Sequence, residues 1–111
     1  MPLYITQGRF TAEALKGMLA KPEDRATAVS ALAEKAGGKL LSYYVTFGEY
    51  DFLVVAEAPD SQAAAAVVLA AAAGGGVTGL KTTEAMTSAQ AKQCFAKAGQ
   101  LAAGFKSAGQ G

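Results

Sequence analysis

The sequence contains no histidine and no tryptophan, one cysteine, three prolines, and ten Lys and Arg against nine Asp and Glu. Each shortage removes a class of function. Without histidine the chain lacks the commonest general base, the commonest transition-metal ligand and the commonest haem ligand, so no metal and no other cofactor is expected. A net charge of +1 supplies no electrostatic footprint for nucleic acid or an anionic membrane. Cys94 has no partner for a disulfide within the chain, and no charged segment followed by an apolar one stands at the N-terminus; a cytoplasmic location is expected. The apolar run from Ala63 to Ala73 is too short and too alanine-rich to cross a hydrocarbon core, which takes about 20 residues.

What is abundant is small. Alanine fills 26 of the 111 positions and glycine 13, in a chain long enough for one domain with a core. From Pro2 to Phe10 the residues alternate as in a strand, with Leu3, Ile5 and Gln7 on one side and Tyr4, Thr6, Gly8 and Phe10 on the other. Thr11 is a candidate N-cap, and Ala14, Leu15, Met18 and Leu19 form an apolar stripe behind it. Pro22 interrupts this helix and suits the first turn of a renewed one, with Glu23 and Asp24 at its N-terminal end; helical spacing then runs to the stop at Gly37-Gly38. Either one kinked helix or two short ones are expected here.

Lys39 to Thr46 and Phe52 to Glu57 are strands, and a type II′ turn at Phe47-Gly48-Glu49-Tyr50 joins them into a hairpin. This register sets Phe47 opposite Tyr50, Val45 opposite Phe52, Tyr43 opposite Val54, Tyr44 opposite Leu53 and Ser42 opposite Val55. Asp60 caps a helix through the alanine-rich segment, ended by Gly74-Gly75-Gly76. Val77 to Met86 is the fourth strand. Thr87 and Gln90 form a capping box that opens a C-terminal helix striped by Phe95, Ala98, Ala102 and Phe105.

The fold class is therefore α+β, a ferredoxin-like βαββαβ arrangement with an antiparallel sheet, over residues 1–86. A helix at 87–106 packs on its own or a neighbouring subunit, and 107–111 form a frayed tail. Such a sheet has helices on one face only. Leu3, Ile5, Val45 and Phe52 are assigned to one face and Tyr4, Tyr44, Leu53 and Val55 to the other, so both carry large apolar groups. An antiparallel sheet with one face in water should be polar there. A second copy of the chain is expected to cover the second face, making at least a dimer; the competing reading folds the C-terminal helix over it in cis.

The stretch from Leu32 to Asp60, with Gly37-Gly38 before one strand, Gly48-Glu49-Tyr50-Asp51 at the turn and Ala58-Pro59-Asp60 after the next, resembles the GYD-domain family. Pro2 to Ile5 and Val77 to Ala85 are also similar to that family, so the resemblance covers about residues 2 to 90. It implies a small bacterial α/β protein similar in fold to dimeric α/β barrels, in which two sheets close on one another. It implies no biochemical activity, and Cys94 and Phe105 lie outside it.

The candidate ligand-binding residues are Tyr4, Thr6, Tyr44, Thr46, Tyr50 and Asp51, taken to gather on the second sheet face with Ser42, Glu57, Lys81 and Thr83. Tyrosines, hydroxyls and carboxylates between two sheets can hydrogen-bond a small ligand; equally, they can satisfy one another across an interface. Asp51 beside Tyr50 can serve as an acid–base pair if buried, or it can bond backbone amides near the turn. Gly74-Gly75-Gly76 lacks the Lys and Ser/Thr of a phosphate loop. No residue is assigned to catalysis or metal binding. The reading is a non-catalytic oligomeric module that binds a small ligand or a partner protein or serves as an assembly unit. The alternative is a cofactor-independent enzyme of the dimeric α/β barrel kind, monooxygenase- or isomerase-like, acting on a small organic molecule.

Overall fold

A computed structural model describes residues 1–110. In chain order the elements are β1 (Leu3–Phe10), α1 (Ala12–Ala20), α2 (Arg25–Lys35), β2 (Lys39–Val45), β3 (Phe52–Glu57), α3 (Ser61–Ala73), β4 (Val77–Ala85) and α4 (Ser88–Ala102). The strands form one antiparallel sheet in the order β2-β3-β1-β4, the ferredoxin-like topology.

The helix boundaries follow from local chemistry. Thr11 caps α1 by accepting the amide of Ala14, and Asp60 caps α3 by accepting that of Ala63. The segment around Pro22 is a break between two helices. Pro22, Glu23 and Asp24 all precede α2, and Asp24 is its cap, accepting from the amide of Ala26. At the far end of α2, Gly38 donates to the carbonyl of Ala33 and Gly37 to that of Glu34, the paired closure that needs a left-handed residue, here Gly37 at φ 82°. A Cβ at Gly38 would run into the carbonyl oxygen of Glu57, so this stop also lets the chain enter β2 close beside the end of β3.

The hairpin pairs Val45 with Phe52, Tyr43 with Val54, Tyr44 with Leu53 and Ser42 with Val55, the register the side-chain sorting demanded. Its tip differs from expectation. The last pairing is Thr46 with Asp51, whose carbonyl accepts the Thr46 amide at 2.8 Å, and Phe47 to Tyr50 form a wider loop with Phe47 exposed. Gly48 has φ 157°, far from the ~60° of the first central residue in a type II′ turn.

The register between β1 and β3 sorts the faces differently from the sequence reading. Tyr4 is paired with Ala56, Thr6 with Val54 and Gly8 with Phe52, so Tyr4 and Thr6 share their face with Phe52, Val54 and Tyr43. This is the face under the helices: Tyr4 belongs to a core with Ala58 and Ala64, and Phe52 is 5% exposed. Leu3 and Ile5 join Leu53, Val55 and Tyr44 on the opposite face. The earlier grouping of Leu3 and Ile5 with Phe52 is thus corrected by one residue of parity. A tight hairpin fixes parity from sequence; β1 and β3 are joined through two helices and β2, which leave it free.

The Phe52 ring lies across Gly8, stacked with Tyr43 at 6.1 Å and tilted by 37° against Phe10 at 5.2 Å, measured between ring centroids. A Cβ on Gly8 would sit 2.7 Å from Phe52 Cζ and 2.6 Å from Leu80 Cδ2. Gly8→Ala is therefore expected to destabilise the fold by about 1–3 kcal/mol through overpacking, read as a lowered urea midpoint with an unchanged slope. An unchanged midpoint would mean that the ring is not held there.

Candidate functional site

The six expected site residues fall in three places. Tyr4 and Thr6 lie beneath the helices and line a cavity of about 370 Å³ between α2, α3 and the sheet. The Tyr4 hydroxyl donates to Glu84 Oε1 at 3.0 Å, and the Thr6 and Thr82 hydroxyls bond each other at 2.9 Å. Burial, with the adjoining Glu84 carboxylate as the next cause, pushes the Tyr4 hydroxyl above its ordinary value, so it stays a protonated donor.

Tyr44 stands apart on the opposite face, 59% exposed, beside Leu53. Leu3, Ile5, Val55 and Leu53 make the centre of that face, and Ser42, Glu57, Lys81 and Thr83 share it by register. These four polar residues are where the sequence reading put them. Among the described residues, the helix residues that are buried, Ala33 and Ala64, lie on the other side of the sheet. The helix α4 has no buried residue, with Phe95 75% and Leu101 71% exposed, so the cis covering considered from sequence does not occur. The helix also ends at Ala102, short of the expected 106, and leaves Phe105 beyond it. A radius of gyration of 18.1 Å, against roughly 13 Å for a compact chain of this length, reflects the projection of α4 and the tail from the body.

Thr46, Tyr50 and Asp51 are at the hairpin end and hold it down on β1. Asp51 Oδ2 accepts the amide of Phe10 at 2.9 Å, and the Asp51 amide donates to the carbonyl of Gly8 at 2.8 Å. The Thr46 hydroxyl donates to the carbonyl of Tyr50 at 2.8 Å. Arg9 Nε donates to the carbonyl of Glu49 at 2.8 Å, and the Arg9 guanidinium stands over the Tyr50 ring, 5.8 Å from its centroid. The loop is a clasp: Asp51 satisfies a β1 amide just before β3 begins, and Tyr50 pairs with Arg9, not with Phe47. Arg9 and Glu84 were not picked out from the sequence. Both are surface-type residues whose partners lie 40 and 80 positions away, and no local spacing announces that.

Among the described residues no charged side chain is buried, no group of His, Cys, Asp or Glu is placed to hold a metal, and no helix is long and apolar enough to cross a membrane.

Asp51→Ala leaves the Phe10 amide without its partner and is expected to lower stability by about 1–2 kcal/mol, whereas Asp51→Asn, which keeps an acceptor oxygen, loses less than half of that. Urea denaturation of both variants checks this; equal losses would show that the carboxylate is not serving the Phe10 amide.

Comparison with curated proteins found no match. Among solved structures the chain is similar to MtbAldR, with 12% identity over 78% of this chain and 52% of that one and a TM-score of 0.53. It spans about half the length of that protein. It also resembles FFRP-DM1, at 19% identity over 78% of this chain and all of that one with a TM-score of 0.49, and hypothetical protein PHS023 from Pyrococcus horikoshii, at 18% identity over 78% and 92% with a TM-score of 0.48. The family model of the GYD domain matches residues 4–95, reaching past β4 into the first half of α4 and so taking in Cys94. With the Gly48-Glu49-Tyr50-Asp51 clasp inside a ferredoxin-like fold, the chain belongs to the GYD-domain family.

Proposed function

We propose that the chain is a non-catalytic assembly module that associates with a second copy of itself through the sheet face opposite the helices. The observation that carries this reading is the apolar centre of that face: Leu3, Ile5, Leu53 and Val55 are half-buried with the exposed Tyr44 beside them, while the helix residues that are buried, Ala33 and Ala64, lie on the other side of the sheet. Membership of the GYD family and the ferredoxin-like fold accord with a small module of this kind. Catalysis fits less well, because the carboxylates nearest the hydroxyls are engaged structurally, Glu84 by Tyr4 and Asp51 by the Phe10 amide.

Size and charge bring α4 into the same assembly. Four strands of about seven residues give a footprint of roughly 19 by 23 Å, below the ~800 Å² per partner of a standard stable interface. A second exposed apolar stripe is on α4, where Phe95, Ala98 and Leu101 recur at helical spacing. All nine acidic residues and seven of the ten basic ones lie at or before Glu84, so the body carries −2 and the segment after it +3. The α4 segment of one copy is thus electrostatically suited to the body of another.

Leu53→Lys places a charge at the centre of the sheet face. It is expected to weaken self-association at least tenfold while leaving the far-UV circular dichroism spectrum unchanged, as measured by light scattering across micromolar concentrations. Phe95→Glu combined with Leu101→Glu is expected to weaken association less and to leave the urea midpoint of the body unchanged, because neither side chain is buried in it. Association unaffected by Leu53→Lys would remove the sheet face from the interface.

A further inference from the structure

We infer that the cavity between the helices and the sheet is a binding site for a neutral, mostly hydrocarbon small molecule bearing one hydroxyl or carbonyl group. This site lies on the side of the sheet opposite the proposed contact between copies and does not depend on that contact.

The cavity follows from the alanine content. Where α2 and α3 face the sheet, Ala28, Ala33, Ala64 and Ala71 alternate with Val29, Leu32, Val67 and Val68, and methyl groups at half of these positions leave space between the helix layer and the sheet. Close-packed interiors hold few voids larger than a water molecule, so about 370 Å³ is far outside packing error and inside the roughly 300–1,000 Å³ of small-molecule sites. An apolar cavity of ~150 Å³ accommodates one benzene; in proportion, about 370 Å³ corresponds to a ligand of roughly 15 non-hydrogen atoms.

The lining specifies the chemistry. Val29, Leu32, Val67, Val68 and Leu80 supply an aliphatic wall, and the Phe52 ring lies at the floor on β3. Thr6 and Thr82 supply the polar end. Their mutual bond uses one of two hydroxyl hydrogens, which leaves the other, together with free lone pairs, for a ligand hydroxyl or carbonyl. Thr82 is exposed on the edge strand β4, so this polar end is also the end that meets solvent. An anionic head group is disfavoured there, because Glu84 lies two residues along the same strand on the same face, held by Tyr4. Arg25, the cationic residue of the lining, is already paired with Glu23 at 3.1 Å. The site therefore recognises apolar shape and one neutral hydrogen-bonding group.

The test titrates the full chain with 2-naphthol, 1-decanol and, as an anionic counterpart, 2-naphthalenesulfonate, followed by calorimetry and by methyl resonances of Val67 and Leu80. At least one neutral probe should saturate at one molecule per chain and shift those methyls, and 2-naphthol should bind at least several-fold more tightly than the sulfonate. Val68→Phe and, as a milder filling change, Ala71→Leu should each reduce affinity about tenfold, and Thr6→Val should reduce it several-fold without lowering the urea midpoint by a comparable factor. Leu53→Lys, on the opposite face, should leave affinity unchanged. The inference is overturned if neither neutral probe saturates, if both filling variants bind as well as the parent, if the sulfonate binds as tightly as 2-naphthol, or if Leu53→Lys abolishes binding and so places the site between copies.

Discussion

The pairing of Gly8 with Phe52 is the constraint on which the rest of the molecule depends. It sets the parity of β1 against β3, and with it the fate of every other residue on those strands. Phe52 needs a neighbour without a side chain, because its ring occupies the space a Cβ would take. Once the ring lies over Gly8, Tyr4 and Thr6 must turn toward the helices, and Leu3 and Ile5 must turn away from them with Leu53 and Val55. One close contact thus gives the sheet a packed side and an unpacked apolar side.

The family motif acts in the service of this contact. Asp51 immediately precedes Phe52, and by taking the Phe10 amide it holds the start of β3 against the end of β1, where the aromatic stack of Phe10, Phe52 and Tyr43 is built. Arg9 adds the carbonyl of Glu49 and the ring of Tyr50 from the same end of β1. The Gly-x-Tyr-Asp sequence therefore reads in this fold as a device for registering a hairpin on a strand distant in sequence. The paired carboxylate and tyrosine that suggested proton transfer are each accounted for by a structural partner. The outer sheet face and the space beneath the alanine-rich helices are on opposite sides of one layer, and the proposed occupants differ accordingly, a second copy for the first and a small molecule for the second.

Local signals in the sequence were sufficient for the elements and most of their ends. Thr11, Asp60 and the Thr87–Gln90 box cap the helices they were assigned to, Gly37-Gly38 closes α2, and apolar sorting across the hairpin fixed its register. What was not legible is parity between elements that no tight turn connects. Hairpin pairing ties Ser42 and Tyr44 to the face of Leu53 and Val55, and alternation along β3 ties Glu57 to it; Lys81 and Thr83 reach that face through the pairing of β4 with β1, and Tyr4 and Thr6 turn away from it through the Gly8–Phe52 contact, neither of which a turn fixes. The four-residue loop was read as a two-residue turn for a similar reason: Arg9 and the Phe10 amide, which hold it open, come from another strand.

The proposed covering of the outer sheet face by a second copy in solution is measured most directly by the solvent accessibility of its methyl groups. In the full chain at the concentration where it associates, a neutral soluble gadolinium chelate is expected to broaden the methyl resonances of Leu3, Ile5, Leu53 and Val55 far less than that of Leu19, which lies on α1 at 82% exposure. Diluting the protein or introducing Tyr44→Asp should restore their broadening. Methyls on the sheet face as accessible as that of Leu19 at every concentration would contradict the proposed covering.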